Sequence, residues 1–271
     1  MKLSATDQAR LKAYGKWALV TGASSGIGAE FARQLASSHM DLVLVSRGTK
    51  ALEDLATELQ AQHHIQCRTI SLDLSKQEAT KQLLEAIDGL DVGLVALAAG
   101  FGTSGKFLDA DLEEEMNMLD LNSRAVLAQT HHFARQFADR GKGGIILFGS
   151  LVGFQGTPYA AHYSATKAYV QTLAEALHVE LEDSGVDVLS VAPGPVETRF
   201  AERANMQMGA ALRPEDVAVP ALRALGKRQT VLPGFLTKFL VGSLRTLPRW
   251  GKVRVMKLVM GGMTEHQRAA S

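Results

Sequence analysis

The sequence predicts an α/β fold, a doubly wound parallel sheet of about seven strands with helices on both faces. Three observations predict it. Short apolar runs alternate with stretches of helical periodicity along most of the 271 residues. A glycine-rich turn separates the first apolar run from the first long helix. No repeat, low-complexity tract or linker interrupts the pattern. Residues 1–271 therefore read as one domain, with an N-terminal extension over 1–14 and a helical, basic C-terminal extension over 234–271.

The elements follow in order. The first ten residues lack an apolar core, which predicts a short extra helix and no secretory signal. Trp17–Thr21 is a buried strand, and Ala29–Ala36 is helical, with Phe31 and Leu35 one turn apart. Asp41–Ser46 is strand two. Ala51–Gln62 is a helix with Leu52, Leu55 and Leu59 on one face. Gln66–Leu72 is strand three, Lys76–Asp88 a helix, and Gly93–Ala98 strand four. Asp111–Arg140 reads as one long helical region. Gly144–Phe148, Val186–Val191 and Gln229–Leu232 are strands five to seven, with a helix over Tyr159–Ser184 between the first two. In such sheets ligands bind beyond the carboxyl ends of the strands.

Composition sets bounds. The chain is 46% hydrophobic and 21% charged, which is ordinary for a globular domain. A net charge of +1 gives no global field to attract nucleic acid. The single cysteine, Cys67, permits no internal disulfide, which fits a cytoplasmic setting. The histidines lack metal-ligand spacing, so no metal site is expected. No apolar run approaches the length of a spanning helix.

The glycine turn is the first chemical signal. Gly22, Ser24, Ser25, Gly26, Ile27 and Gly28 lie between a strand and a helix, as a dinucleotide site requires. Glycine lets backbone approach a pyrophosphate and take positive φ. The helix N-terminus adds free N–H groups and partial positive charge.

Tyr163 and Lys167 are the second signal. A spacing of four puts them on one face of a helix. A phenol has an ordinary pKa of about 10, and a neighbouring ammonium favours its ionised form. Ser150, thirteen residues upstream, adds a hydroxyl able to polarise a carbonyl or steady an alkoxide.

Thr21–Gly28, with its Gly-x-x-x-Gly-x-Gly spacing, together with Ser150, Tyr163 and Lys167, strongly resembles the short-chain dehydrogenase/reductase family in its shorter branch. The likeness covers residues 15–233. It implies a Rossmann-type fold and a tetrad of Asn122, Ser150, Tyr163 and Lys167. In that tetrad Tyr163 is the acid in reduction and the base in oxidation. Lys167 lowers the tyrosine pKa and binds the nicotinamide ribose, Ser150 orients the substrate oxygen, and the Asn122 side chain holds a relay water. The likeness also implies that Asp73 and Leu74 meet the adenine and that Ala99 and Gly100 pack against a ribose. Pro193, Gly194, Val196 and Thr198 would close over the nicotinamide. Alanine stands at 98 where the family has asparagine, which removes side-chain hydrogen bonds at the sheet centre.

Ser46 and Arg47 end strand two, where a site preferring NAD places a carboxylate for the ribose 2′-hydroxyl. A guanidinium there suits a 2′-phosphate instead. The expected cofactor is NADP, with NAD disfavoured. Phe200–Leu212 matches the family's variable lid, and Met206 and Met208 suggest an adaptable apolar wall. Residues 153–158 are expected to form a second wall.

The tail is unusual. Residues 217–264 hold no Asp or Glu and nine Lys or Arg, interleaved with apolar residues and Trp250. Two readings stand: a helical pair covering the substrate cleft, and peripheral contact with an anionic membrane. The leading functional reading is an NADP(H)-dependent oxidoreductase interconverting a hydrophobic ketone and its secondary alcohol. A catalytically silent NADP-binding sensor or scaffold is the alternative, and a dehydratase or epimerase a third. The resemblance implies a homodimer or homotetramer, paired through the long helices at 111–140 and 159–184.

Overall fold

Residues 2–269 are described in this computed structural model, Arg245, Arg268 and Ala269 by their backbone alone. The outermost residues of the expected domain, Met1, Ala270 and Ser271, lie outside the described residues. The elements run α1 (Ala5–Tyr14), β1 (Trp17–Thr21), α2 (Gly26–Ser37), β2 (Asp41–Ser46), α3 (Thr49–His63), β3 (Cys67–Ser71), α4 (Ala79–Ala86) and β4 (Val92–Leu97). Then come α5 (Leu112–Leu119), α6 (Ala125–Asp139), β5 (Gly143–Phe148), α7 (Ala161–Glu180), β6 (Val186–Val191), α8 (Phe200–Arg203), α9 (Glu215–Ala224) and β7 (Thr230–Val231). The chain ends in α10 (Phe235–Arg245), α11 (Arg249–Met263) and α12 (Glu265–Ala269).

The seven strands form one sheet in the order β3-β2-β1-β4-β5-β6-β7, and every pairing is parallel. Strand alternation divides the core. Ala18 and Val20 of β1, Leu94 and Ala96 of β4, and Ile146 of β5 pack on one face with α2, α3 and α9. Leu19, Val95, Leu97, Ile145 and Leu147 pack on the other against α6 and α7. The order reverses beside β1, so the carboxyl ends of β1 and β4 open a crevice at the switch point.

Two elements depart from the sequence reading. The helix expected over 76–88 shortens to α4, because the Asp73 carboxylate accepts from the Ser75 N–H at 3.1 Å and hydroxyl at 2.8 Å, which holds a turn there. The region expected as one helix over 111–140 is α5 and α6 joined by a π-helical turn at Asp120–Arg124. Asn122 sits in that turn and makes three bonds outside it.

Candidate active site

The cleft begins where β1 meets α2. Gly22 and Gly26 take φ of +68° and +57°, a region that favours glycine. A Cβ on Gly28 would lie 2.3 Å from the Gly22 carbonyl oxygen, so helix and turn touch only because it is absent. A Cβ on Gly26 would meet the Thr198 methyl at 2.8 Å, which places Thr198 over the turn. The Ser25 side chain caps nothing, and Gly26, Ile27 and Gly28 at the start of α2 line the cleft. The lost asparagine at 98 is offset nearby, since the Thr21 hydroxyl accepts from the Ala99 N–H at 3.0 Å.

At the end of β2, Ser46, Arg47 and Gly48 line the same cleft. The Ser46 hydroxyl is buried and has no partner. Burial pushes the Asp73 carboxyl up, but bonds from Ser75 and the charges of Arg47 and Lys76 hold it below its ordinary value. An orphaned hydroxyl beside a guanidinium and an open glycine fits an anion such as the 2′-phosphate of a dinucleotide. Asp73, Leu74, Ala99 and Gly100 line the stretch between this end and the reactive end.

At the reactive end, α7 carries Tyr163 and Lys167 side by side, both buried. The Lys167 ammonium donates to the Phe148 carbonyl at 2.9 Å and lies 5.8 Å from the Tyr163 ring centre. Burial pushes the Lys167 pKa down to about 8. Burial pushes the Tyr163 phenol above its ordinary value, and a hydrogen bond with Ser150 opposes this. The ammonium is aimed at the Phe148 carbonyl, and loss of hydration governs both groups.

Asn122 is held by the protein around it. Its amide oxygen accepts from the Phe101 N–H at 3.1 Å, and its amide nitrogen donates to the Phe101 carbonyl at 2.8 Å and the Thr166 hydroxyl at 3.2 Å. Both amide hydrogens are spent on protein, so the side chain braces the strand-four loop against α7.

All the other sequence-predicted site residues meet in one cleft of about 860 Å³. Pro193, Gly194, Val196 and Thr198 form one rim, with Phe200 beside Tyr163 at 5.3 Å between ring centres. Met206 and Met208 line it as expected. Residues 153–158 do not; Leu151, Val152 and Ala160 supply that wall, because a short helical turn from Leu151 carries the next residues away. The far wall is Met256, Val259, Met260 and Met263 of α11. One helix of the tail, α11, thus lines the cleft.

The short chain dehydrogenase family model matches residues 16–209. The chain belongs to the short-chain dehydrogenase family. A 7beta-hydroxysteroid dehydrogenase from Clostridium sardiniense is 34% identical over 229 residues, 83% of this chain and 88% of that one. A very-long-chain 3-oxoacyl-CoA reductase from Neurospora crassa is 40% identical over 205 residues, 74% of this chain and 62% of that one. The solved structure of a short-chain dehydrogenase from Sphingobium yanoikuyae in complex with NADPH superposes with a TM-score of 0.77 at 28% identity, covering 86% of this chain and 96% of that one. This short-chain dehydrogenase is accordingly an oxidoreductase of CH–OH groups.

Sequence reasoning missed two groups in this dehydrogenase. The methionines of α11 are far along the chain, and only their three- and four-residue spacing marks them as one face. Arg203 lines the cleft with its guanidinium 3.8 Å from the Phe101 ring centre, a contact no local pattern announces.

Proposed function

We propose that this short-chain dehydrogenase uses NADP(H) to interconvert a bulky apolar ketone and its secondary alcohol. The observation that carries the reading is one cleft with the Gly22–Gly28 turn and Arg47 at one end, and Ser150 beside the buried Tyr163 and Lys167 at an apolar end. The Sphingobium structure holds NADPH, and the steroid and acyl-CoA names of the relatives support an extended apolar substrate.

In this reading the N-terminus of α2 takes the pyrophosphate, while Ser46 and Arg47 take the 2′-phosphate. Asp73, Leu74, Ala99 and Gly100 flank the adenosine. Pro193, Gly194, Val196 and Thr198 cover the nicotinamide. NADPH, when bound, supplies the hydride. Ser150 and Tyr163 hydrogen-bond the carbonyl oxygen, and Tyr163 gives its proton to the forming alkoxide. The raised phenol pKa keeps that proton in place for reduction. Lys167 holds the ribose and the Phe148 carbonyl and steadies the charge left on Tyr163. The methionine wall excludes water and adapts to the apolar body.

Self-association fits the exposed Leu112, Met116, Leu119 and Leu127 on the α5–α6 edge. Contact with a membrane surface through the basic tail completes the reading. Among the described residues no helix is long and apolar enough to cross a membrane.

Fluorescence titration with NADPH and NADH, followed by a panel of apolar ketones, tests the proposal. The expected result is NADPH binding at least about tenfold tighter than NADH, with ketone-dependent oxidation. Tight binding without turnover on any ketone would favour the sensor alternative. No binding of either nucleotide would overturn the reading.

A further inference from the structure

The outward face of the C-terminal helices has no role in the cleft. On α11, Trp250, Arg254, Lys257 and Leu258 follow the four- and three-residue spacing of one stripe and are exposed. Leu258 is 79% and Trp250 65% accessible, and the Arg254 guanidinium lies 5.2 Å from the Trp250 ring centre. On α10, Phe235 is 84% accessible and stacks with the exposed Phe239 at 6.4 Å, while Thr237, Val241 and Leu244 turn inward. Large apolar side chains left in water over two successive helices mark a docking face.

Charge decides what docks. Residues 235–263, which span α10 and α11, carry six basic residues (Lys238, Arg245, Arg249, Lys252, Arg254 and Lys257) and no acidic one, while the whole chain is nearly neutral at +1. A cationic stripe with a tryptophan beside apolar tips is the chemistry of a helix lying in an anionic lipid interface. The same α11 turns Met256 and Met260 into the apolar cleft. One helix thus presents Trp250, Arg254, Lys257 and Leu258 to solvent and its methionines to the reactive end.

We infer that α10 and α11 form a lipid-docking gate, whose outer face binds an anionic bilayer and whose inner methionine face admits apolar substrate from it. The inference deepens the membrane contact proposed above and rests on that reading. The bilayer concentrates the ketone, and movement of α11 opens the methionine wall toward lipid instead of water.

The test is co-sedimentation of the full chain with vesicles of phosphatidylcholine and phosphatidylserine in equal parts, without nucleotide or ketone, so the outcome is independent of the catalytic reading. Binding is expected at low salt. It should fall at least about tenfold on pure phosphatidylcholine, at about 0.5 M NaCl, or in Lys257→Glu/Leu258→Glu. That variant should turn over a water-soluble ketone at the wild-type rate and lose the several-fold gain the wild type shows with a long-chain ketone dissolved in the anionic vesicles. Trp250→Ala, a milder change at an exposed site, should weaken binding in the same direction. Absence of vesicle binding, or binding that neither salt nor these variants alter, would overturn the inference. Sedimentation velocity showing self-association that the double variant abolishes, with no vesicle binding, would assign the face to a second copy instead.

Discussion

The amide of Asn122 clasps both backbone polar groups of Phe101, accepting from its N–H at 3.1 Å and donating to its carbonyl at 2.8 Å. The π-helical turn between α5 and α6 presents the amide, and the Thr166 hydroxyl fixes its second hydrogen. Phe101 in turn lines the cleft and lies under Arg203. One side chain therefore couples the helix beside the sheet, the strand-four loop and the catalytic helix.

Asn122→Ala leaves two buried backbone groups of Phe101 without their partner. Each orphaned group costs about 1–3 kcal/mol. The variant should lose several degrees of thermal stability, at about 2–4 °C per kcal/mol for a chain near this size. Asn122→Asp keeps the acceptor but sets a second oxygen against the Phe101 carbonyl in a buried site, so it should lose at least as much as the alanine variant. Melting curves of the three proteins check the order; an alanine variant as stable as wild type would remove the bracing role.

Tyr163→Phe deletes the proton donor and keeps the ring against Phe200. General acid catalysis contributes about 10²–10⁴-fold, so kcat for ketone reduction should fall by at least about 10². The phenol makes no bond that the nucleotide turn needs, and NADPH affinity should stay within about twofold. Steady-state kinetics and nucleotide fluorescence separate the two effects. Activity within tenfold of wild type would remove Tyr163 from its role.

Arg47→Asp reverses the charge beside the orphaned Ser46 hydroxyl. A charge-assisted bond is worth about 1.5–3 kcal/mol, so NADPH affinity should drop about 10–100-fold. NADH, which has a ribose hydroxyl where NADPH has a phosphate, should hold or gain affinity. Equal losses for both nucleotides would place Arg47 away from the 2′ position.

Much of this was legible in the chain. The strands announced themselves as apolar runs, and the glycine turn and the Tyr163–Lys167 pair are local spacings that fix local geometry. What escaped was tertiary. The π turn at Asn122 is invisible because its residues continue a helical pattern, and only the Phe101 partnership shows why the helix widens. The methionine wall of α11 escaped because its spacing reads equally well as a core stripe. The burial that Tyr163 and Lys167 share also escaped, because sequence shows the neighbouring ammonium but not that both groups lose their water.

The Lys167 ammonium leads to a stability prediction with a definite sign. Burial lowers its pKa from 10.5 to about 8. Between those values the unfolded chain binds a proton that the folded chain does not, so this residue makes folding more favourable as pH rises through the window. Below about pH 8 the folded protein carries the cost of a buried charge, close to 3 kcal/mol at about 1.36 kcal/mol per pH unit. Tyr163 has the opposite sign and acts only above the ordinary phenol range of about 10. Lys167→Met removes the ammonium and keeps most of its apolar stem. Its stability relative to wild type should therefore be most favourable near pH 7 and should decline steadily toward pH 10, as the wild type sheds its proton. The lost bond to the Phe148 carbonyl shifts the whole comparison by a constant and leaves the slope untouched. Denaturant unfolding of both proteins at pH 7, 8, 9 and 10 measures that slope. A difference that stays flat across the range would mean that Lys167 keeps its charge in the folded state, held by a partner stronger than a single carbonyl.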